Sequence, residues 1–89
     1  MNNYFVYENT STKERVIIKK ITDRILMIYR LKNNVVNGKF IDYNDLGSIK
    51  SEENLKLIYR YKAFGEIPSE VDFRMDIGID ISSKYLEMY

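Results

Sequence analysis

The clearest hydropathy pattern in the chain is a strict alternation near its C-terminal end. Val71, Phe73, Met75, Ile77, Ile79 and Ile81 occupy one parity, and Asp72, Arg74, Asp76, Gly78 and Asp80 the other. A period of two puts these sets on opposite faces of an extended chain, so the pattern predicts a strand over 71–81. Shorter apolar runs bounded by turn-forming residues predict further strands at 3–8, 14–21, 24–32 and 39–43. The run 24–32 is ambiguous, since Thr22 or Asp23 could cap a helix there. Its β-branched and aromatic content favours a strand. Asn37-Gly38 tolerates positive φ at both positions and predicts a hairpin turn between Val35-Val36 and Lys39-Phe40-Ile41.

Residues 51–64 are expected to form a helix. Ser51 can cap free backbone N–H groups, Glu52-Glu53 suit the positive end of a helix dipole, and Gly65 with Pro68 supplies a stop. A strand competes for this segment, because Leu55, Leu57, Tyr59 and Tyr61 alternate with Lys56, Arg60 and Lys62. The expected fold is therefore α+β: a small antiparallel sheet of about five strands packed with one helix. The tail 82–89 is expected as a short helix or a frayed end. Eighty-nine residues suffice for one domain.

Composition narrows the chemistry sharply. Cys and His are absent, which removes thiol nucleophiles, the usual neutral-pH base, and the ligands of zinc, haem and iron–sulfur sites. The lack of Cys suits a reducing compartment, and no apolar run approaches the roughly 20 residues of a membrane span. A soluble cytoplasmic protein is expected. Twelve Ile, eight Tyr, eight Asn and nine Lys, with Ala63 the single alanine, imply AT-rich codons and a low-GC genome, bacterial or phage.

Charge is close to balanced overall, at +1, but not along the chain. Residues 1–32 carry seven basic and three acidic side chains, hence +4, whereas residues 66–89 carry two and six, hence −4. Such asymmetry either neutralises itself when the ends meet or steers a charged partner.

Two constellations are candidates for recognition. Asp72, Asp76 and Asp80 form an acidic ladder on the expected strand, with successive members roughly 13 Å apart. That spacing is too wide for one cation or for an acid/base pair, so the ladder is either a solvated outer face whose charges discourage edge pairing or an acidic strip that docks on a basic surface. Exposed Tyr59 and Tyr61 would extend it, since Tyr is favoured at protein interfaces. The second constellation, Tyr29-Arg30 with Tyr59-Arg60-Tyr61-Lys62, interleaves rings and bases as single-strand nucleic-acid binders do.

These residues lead to a non-catalytic interaction protein that binds another protein and inhibits or modulates it. By composition it would be a phage or mobile-element inhibitor of a host defence protein. A single-stranded RNA or DNA binder is the alternative, and a nucleotide or metabolite pocket at an oligomer interface the third. No cofactor or metal is expected. A homodimer would cover sheet edges left open by so short a chain.

Overall fold

A computed structural model describes residues 2–74 and 86–88. Five long strands dominate it: β1 (Asn2–Asn9), β2 (Arg15–Lys20), β3 (Ile25–Lys32), β4 (Val35–Asp42) and β5 (Leu55–Ala63). Two short α-helices, α1 (Leu46–Glu52) and α2 (Glu70–Arg74), a single 3-10 turn at Tyr43–Asp45 and a three-residue strand, β6 (Leu86–Met88), complete the regular elements among the described residues. All strand pairs are antiparallel, in the spatial order β4-β3-β2-β1-β5-β6. This is the α+β architecture expected, a meander of four strands whose first member also accepts β5. Part of the tail expected as helix or frayed end is instead strand β6, paired with Tyr59–Tyr61.

The segment 51–64 is not a helix. The helical turns come earlier, at α1, and the chain breaks at Asn54, whose φ of 51° ends the helix. From Leu55 onward β-branched and aromatic residues favour extension, and the open edge of β1 supplies a full ladder of hydrogen-bonding partners. Local capping signals lost to this tertiary pairing. Ser51 lies in the last turn of α1 rather than at its start.

β5 also carries a bulge that no periodicity could reveal. Val6 faces Tyr59 but Tyr7 faces Leu57, leaving Ile58 as the extra residue. The bulge turns the alternation over midway. Leu55 and Leu57 pack on one face of the sheet, with Tyr7, Val16, Ile18, Leu26 and Ile28, while Tyr59 and Tyr61 pack on the other, with Tyr4, Val6, Ile17 and Tyr29. The sheet is therefore buried on both sides. Leu46 and Ile49 of α1 cover the first face, and Phe73 of α2 covers the second. Each fully buried side chain of this size contributes roughly 2–3 kcal/mol of transfer free energy.

The expected hairpin turn is displaced as well. Asn33 and Asn34, with φ of 51° and 63°, make the two-residue β3–β4 connection, and Asn37-Gly38 lies inside β4. Gly38 suits that position because a Cβ would stand 3.0 Å from the Tyr29 ring, which would have to give way.

The expected strand 71–81 begins as helix α2. Ser69 and Asp72 close its first turn: the Asp72 carboxylate accepts hydrogen bonds from the Ser69 backbone N–H at 2.5 Å and from its hydroxyl at 3.1 Å. Val71 and Phe73, expected on one face, separate accordingly, with Val71 exposed and Phe73 in the core. Residues 75–81 lie outside the described residues.

Candidate functional site

Between β5 and α2 the chain runs as an irregular strap, residues 64–69, over the tyrosine-rich face of the sheet. Its backbone is held by side chains rather than by a strand ladder. The Gly65 carbonyl accepts hydrogen bonds from the Tyr4 hydroxyl and, at 2.9 Å, from Asn2 Nδ2. The Glu66 carbonyl accepts from the Tyr29 hydroxyl at 3.2 Å and from Lys19 Nζ at 3.3 Å. Lys19 Nζ also lies 3.2 Å from the Glu66 carboxylate. Two adjacent peptide carbonyls thus receive four donors from β1, β2 and β3.

Three of the four donors are themselves fixed by burial, Asn2 being the exception. Tyr4 and Tyr29 belong to the core, and Lys19, only 7% exposed, lies in the same cross-strand row as Tyr4 and Met27. Tyr4 stacks on Tyr61 with ring centroids 5.0 Å apart, and Tyr61 leans on Tyr59 at 6.4 Å. Burial pushes the Tyr4 hydroxyl up to about 12, helped by the neighbouring Tyr29. Burial likewise raises Tyr29. Tyr61 is raised furthest, by burial and then by the Asp72 carboxylate, toward which its hydroxyl points without a well-aligned hydrogen bond. All three hydroxyls stay protonated at physiological pH, so Tyr4 and Tyr29 remain neutral donors to the strap.

Beyond these attachments the strap and the first turn of α2 expose large apolar side chains. Phe64 is 74% exposed, Ile67 63% and Val71 69%, whereas Pro68 and Phe73 between and after them are buried. Apolar residues held outward on a pinned backbone have already lost ordering entropy on folding, so little would remain to be lost on binding. This was not visible in the sequence. Phe64, Ile67 and Val71 have the i, i+3, i+7 spacing of a helix face, but Gly65 and Pro68 interrupt the run and read as a helix stop, so the spacing pointed to no exposed strap.

The residues expected to form a site are distributed differently. Tyr59 and Tyr61, proposed as exposed anchors, are core residues at 0% and 3% exposure. Asp72 closes the first turn of α2 and is half-buried. Asp76 and Asp80 lie outside the described residues. Among the described residues, no three acidic side chains gather as a metal-binding group would require.

The ring-and-base constellation is dismantled by the same geometry. Tyr29, Tyr59 and Tyr61 have no free ring face for a base to stack on. Arg30 makes a two-pronged bond to Glu53, with Nη1–Oε1 and Nη2–Oε2 distances of 2.8 and 2.6 Å. Arg60 and Lys62 are exposed, but on the face opposite Tyr59 and Tyr61. A polar groove of about 750 Å³ beside the β1–β2 turn is lined by Arg15, Arg30 and Arg74, among others. Glu8, Glu53 and Glu70 pair with these three guanidinium groups, which leaves them a poor anion cradle.

Comparison with protein-family models, curated proteins and solved structures finds no match to this chain. Among the described residues, no helix is long and apolar enough to cross a membrane.

Proposed function

We propose that this chain is a non-catalytic interaction protein that docks another protein through Phe64, Ile67 and Val71 and thereby inhibits or modulates it. The observation that carries this reading is the pinned strap: four side-chain donors hold the carbonyls of Gly65 and Glu66, and the strap presents exposed Phe64 and Ile67, with exposed Val71 following on α2. Pre-organised apolar anchors surrounded by polar residues are how small proteins obtain affinity from a modest area. The −4 charge of residues 66–89, to which Asp72, Asp76 and Asp80 contribute, favours a partner with a basic surface. The lack of Cys suits a cytoplasmic setting, and the AT-rich composition suits a phage or mobile-element inhibitor of a host protein. A nucleic-acid reading has less support, because the tyrosines that would stack on bases are core residues.

The test is affinity capture from lysate of a low-GC bacterial host, comparing the wild type with a Phe64→Ser/Ile67→Ser double variant of unchanged circular dichroism. The wild type is expected to retain a specific protein that the variant loses. Equal retention by both, or retention of nucleic acid alone, removes the reading.

A further inference from the structure

β4 is the last strand of the sheet on its side, and among the described residues nothing pairs with its outer edge. The two-residue turn at Asn33-Asn34 determines which backbone groups that edge offers. Val35, next to the turn, closes a hydrogen-bonded pair with Lys32, and the antiparallel ladder then alternates. Val35, Asn37, Lys39 and Ile41 turn their backbone groups toward β3. Val36, Gly38, Phe40 and Asp42 turn theirs outward.

The residues along this edge form a palindrome centred on Gly38. Val35-Val36 and Phe40-Ile41 are apolar at the two ends, and Asn37 and Lys39 are polar on either side of the glycine. An antiparallel two-fold contact places residue i opposite residue j and j opposite i, so a palindrome matches itself. Centred on Gly38, every pair is like with like: Val36 with the partner's Phe40, Val35 with the partner's Ile41, and Asn37 with the partner's Lys39. The outward-facing backbone groups of Val36, Gly38 and Phe40 meet in the same register. Shifting the centre by one residue toward Lys39 sets Lys39 against the partner's Lys39, a like-charge contact. Shifting it the other way sets Val35 against the partner's Lys39.

We propose that β4 pairs with the β4 of a second copy of this chain, antiparallel and centred on Gly38, giving a sheet continuous across two protomers. Val35 and Phe40, 59% and 63% exposed, are the apolar side chains this contact covers. Lys39 is the only charged residue between Val35 and Ile41, so the edge lacks the array of charges that usually discourages pairing. The inference is independent of the strap, which uses other residues. The contact is a strand edge with few large side chains, so association depends on concentration.

Two measurements test it. Sedimentation over a dilution series is expected to give the mass of two chains at the concentrated end. Phe40→Lys, a change at an exposed position, is expected to hold the chain at half that mass, while Phe64→Ser leaves the dimer intact. The register is tested by cross-linking, which is clean because the chain has no cysteine of its own. Asn37 and the partner's Lys39 form a pair without backbone hydrogen bonds, whose close Cα atoms suit a disulfide. The Asn37→Cys/Lys39→Cys double variant is expected to form a covalent dimer under mild oxidation, and Lys39→Cys alone is not. A wild type of single-chain mass throughout, a Phe40→Lys dimer of undiminished strength, a Phe64→Ser monomer, cross-linking by Lys39→Cys alone, or no cross-linking by the double variant would each overturn it.

Discussion

Arg30, on β3, closes a fork-on-fork ion pair with Glu53, the residue that caps the C-terminal end of α1, at 2.8 and 2.6 Å. The pair ties β3, the strand next to the β4 edge, to the helix covering one face of the sheet. Bonding to Arg30 holds the Glu53 carboxyl below its ordinary 4.5, and the same bonding raises the guanidinium.

Glu53→Gln is therefore expected to lower stability at neutral pH by about 1 kcal/mol, a bidentate pair discounted for side chains roughly one-third exposed. The sign of the pH effect follows from linkage. A carboxyl whose folded pKa is depressed contributes stability above its unfolded value, and that contribution is lost as pH falls from 4.5 through the folded value. Urea unfolding at a series of acidic pH values should show a shallower loss in Glu53→Gln than in the wild type. Parallel curves would mean that the pair is geometrically present but energetically idle.

Tyr59 separates a core role from a surface role most cleanly. A solvent-exposed anchor could be truncated at little cost to folding. The buried ring makes Tyr59→Ala a large-to-small core change, expected to destabilise by about 3–5 kcal/mol. Thermal unfolding would reveal a marginal or unfolded variant, and a melting temperature close to wild type would contradict the packing.

The same residue shows what could be read from the chain in advance. The antiparallel α+β class and the strands over 3–8, 14–21 and 24–32 were legible, because apolar β-branched runs between turn residues leave few alternatives. The segment 51–64 was not, because Ser51, Glu52 and Glu53 are genuine helix-end signals belonging to the other end of a helix. What decided the matter was the open edge of β1, a non-local fact. Nor could Leu55, Leu57, Tyr59 and Tyr61, which alternate without fault, announce the bulge at Ile58 that sends the two pairs to opposite faces. The site was the least legible part. Its donors, Tyr4, Lys19 and Tyr29, are distant in sequence from the strap, and no spacing rule links them to Gly65 and Glu66.

Gly38 offers a test confined to one atom. A Cβ at this position would lie 3.0 and 3.1 Å from two carbons of the Tyr29 ring and 3.3 Å from the Met27 sulfur. The ring cannot retreat freely, because its hydroxyl is bonded to the Glu66 carbonyl. Gly38→Ala is expected to destabilise by about 1–3 kcal/mol through overpacking. Combining it with Tyr29→Phe, which frees the ring from the strap, should cost less than the two changes separately. A double-mutant cycle on denaturant unfolding measures this, and strict additivity would show that strap and glycine are not coupled through Tyr29.

The strap's attachment makes its own prediction at high pH. Tyr4 is raised from 10.0 to about 12, and Tyr29 and Tyr61 are raised as well, chiefly by burial. A group that holds its proton more tightly when folded contributes stability below its unfolded pKa and loses it as pH rises through the folded one. Stability should therefore decline from about pH 10 toward pH 12, as the tyrosines of the unfolded chain ionise while those of the folded chain resist. Tyr4→Phe deletes one such group together with its bond to Gly65, so it should weaken the protein by about 1 kcal/mol at pH 7 and flatten the alkaline decline. Tyr43→Phe, at an exposed ring, should change neither. Unfolding free energies of the three proteins measured from pH 7 to pH 12 decide the point, and equal alkaline slopes for Tyr4→Phe and wild type would show that Tyr4 titrates like a tyrosine in water.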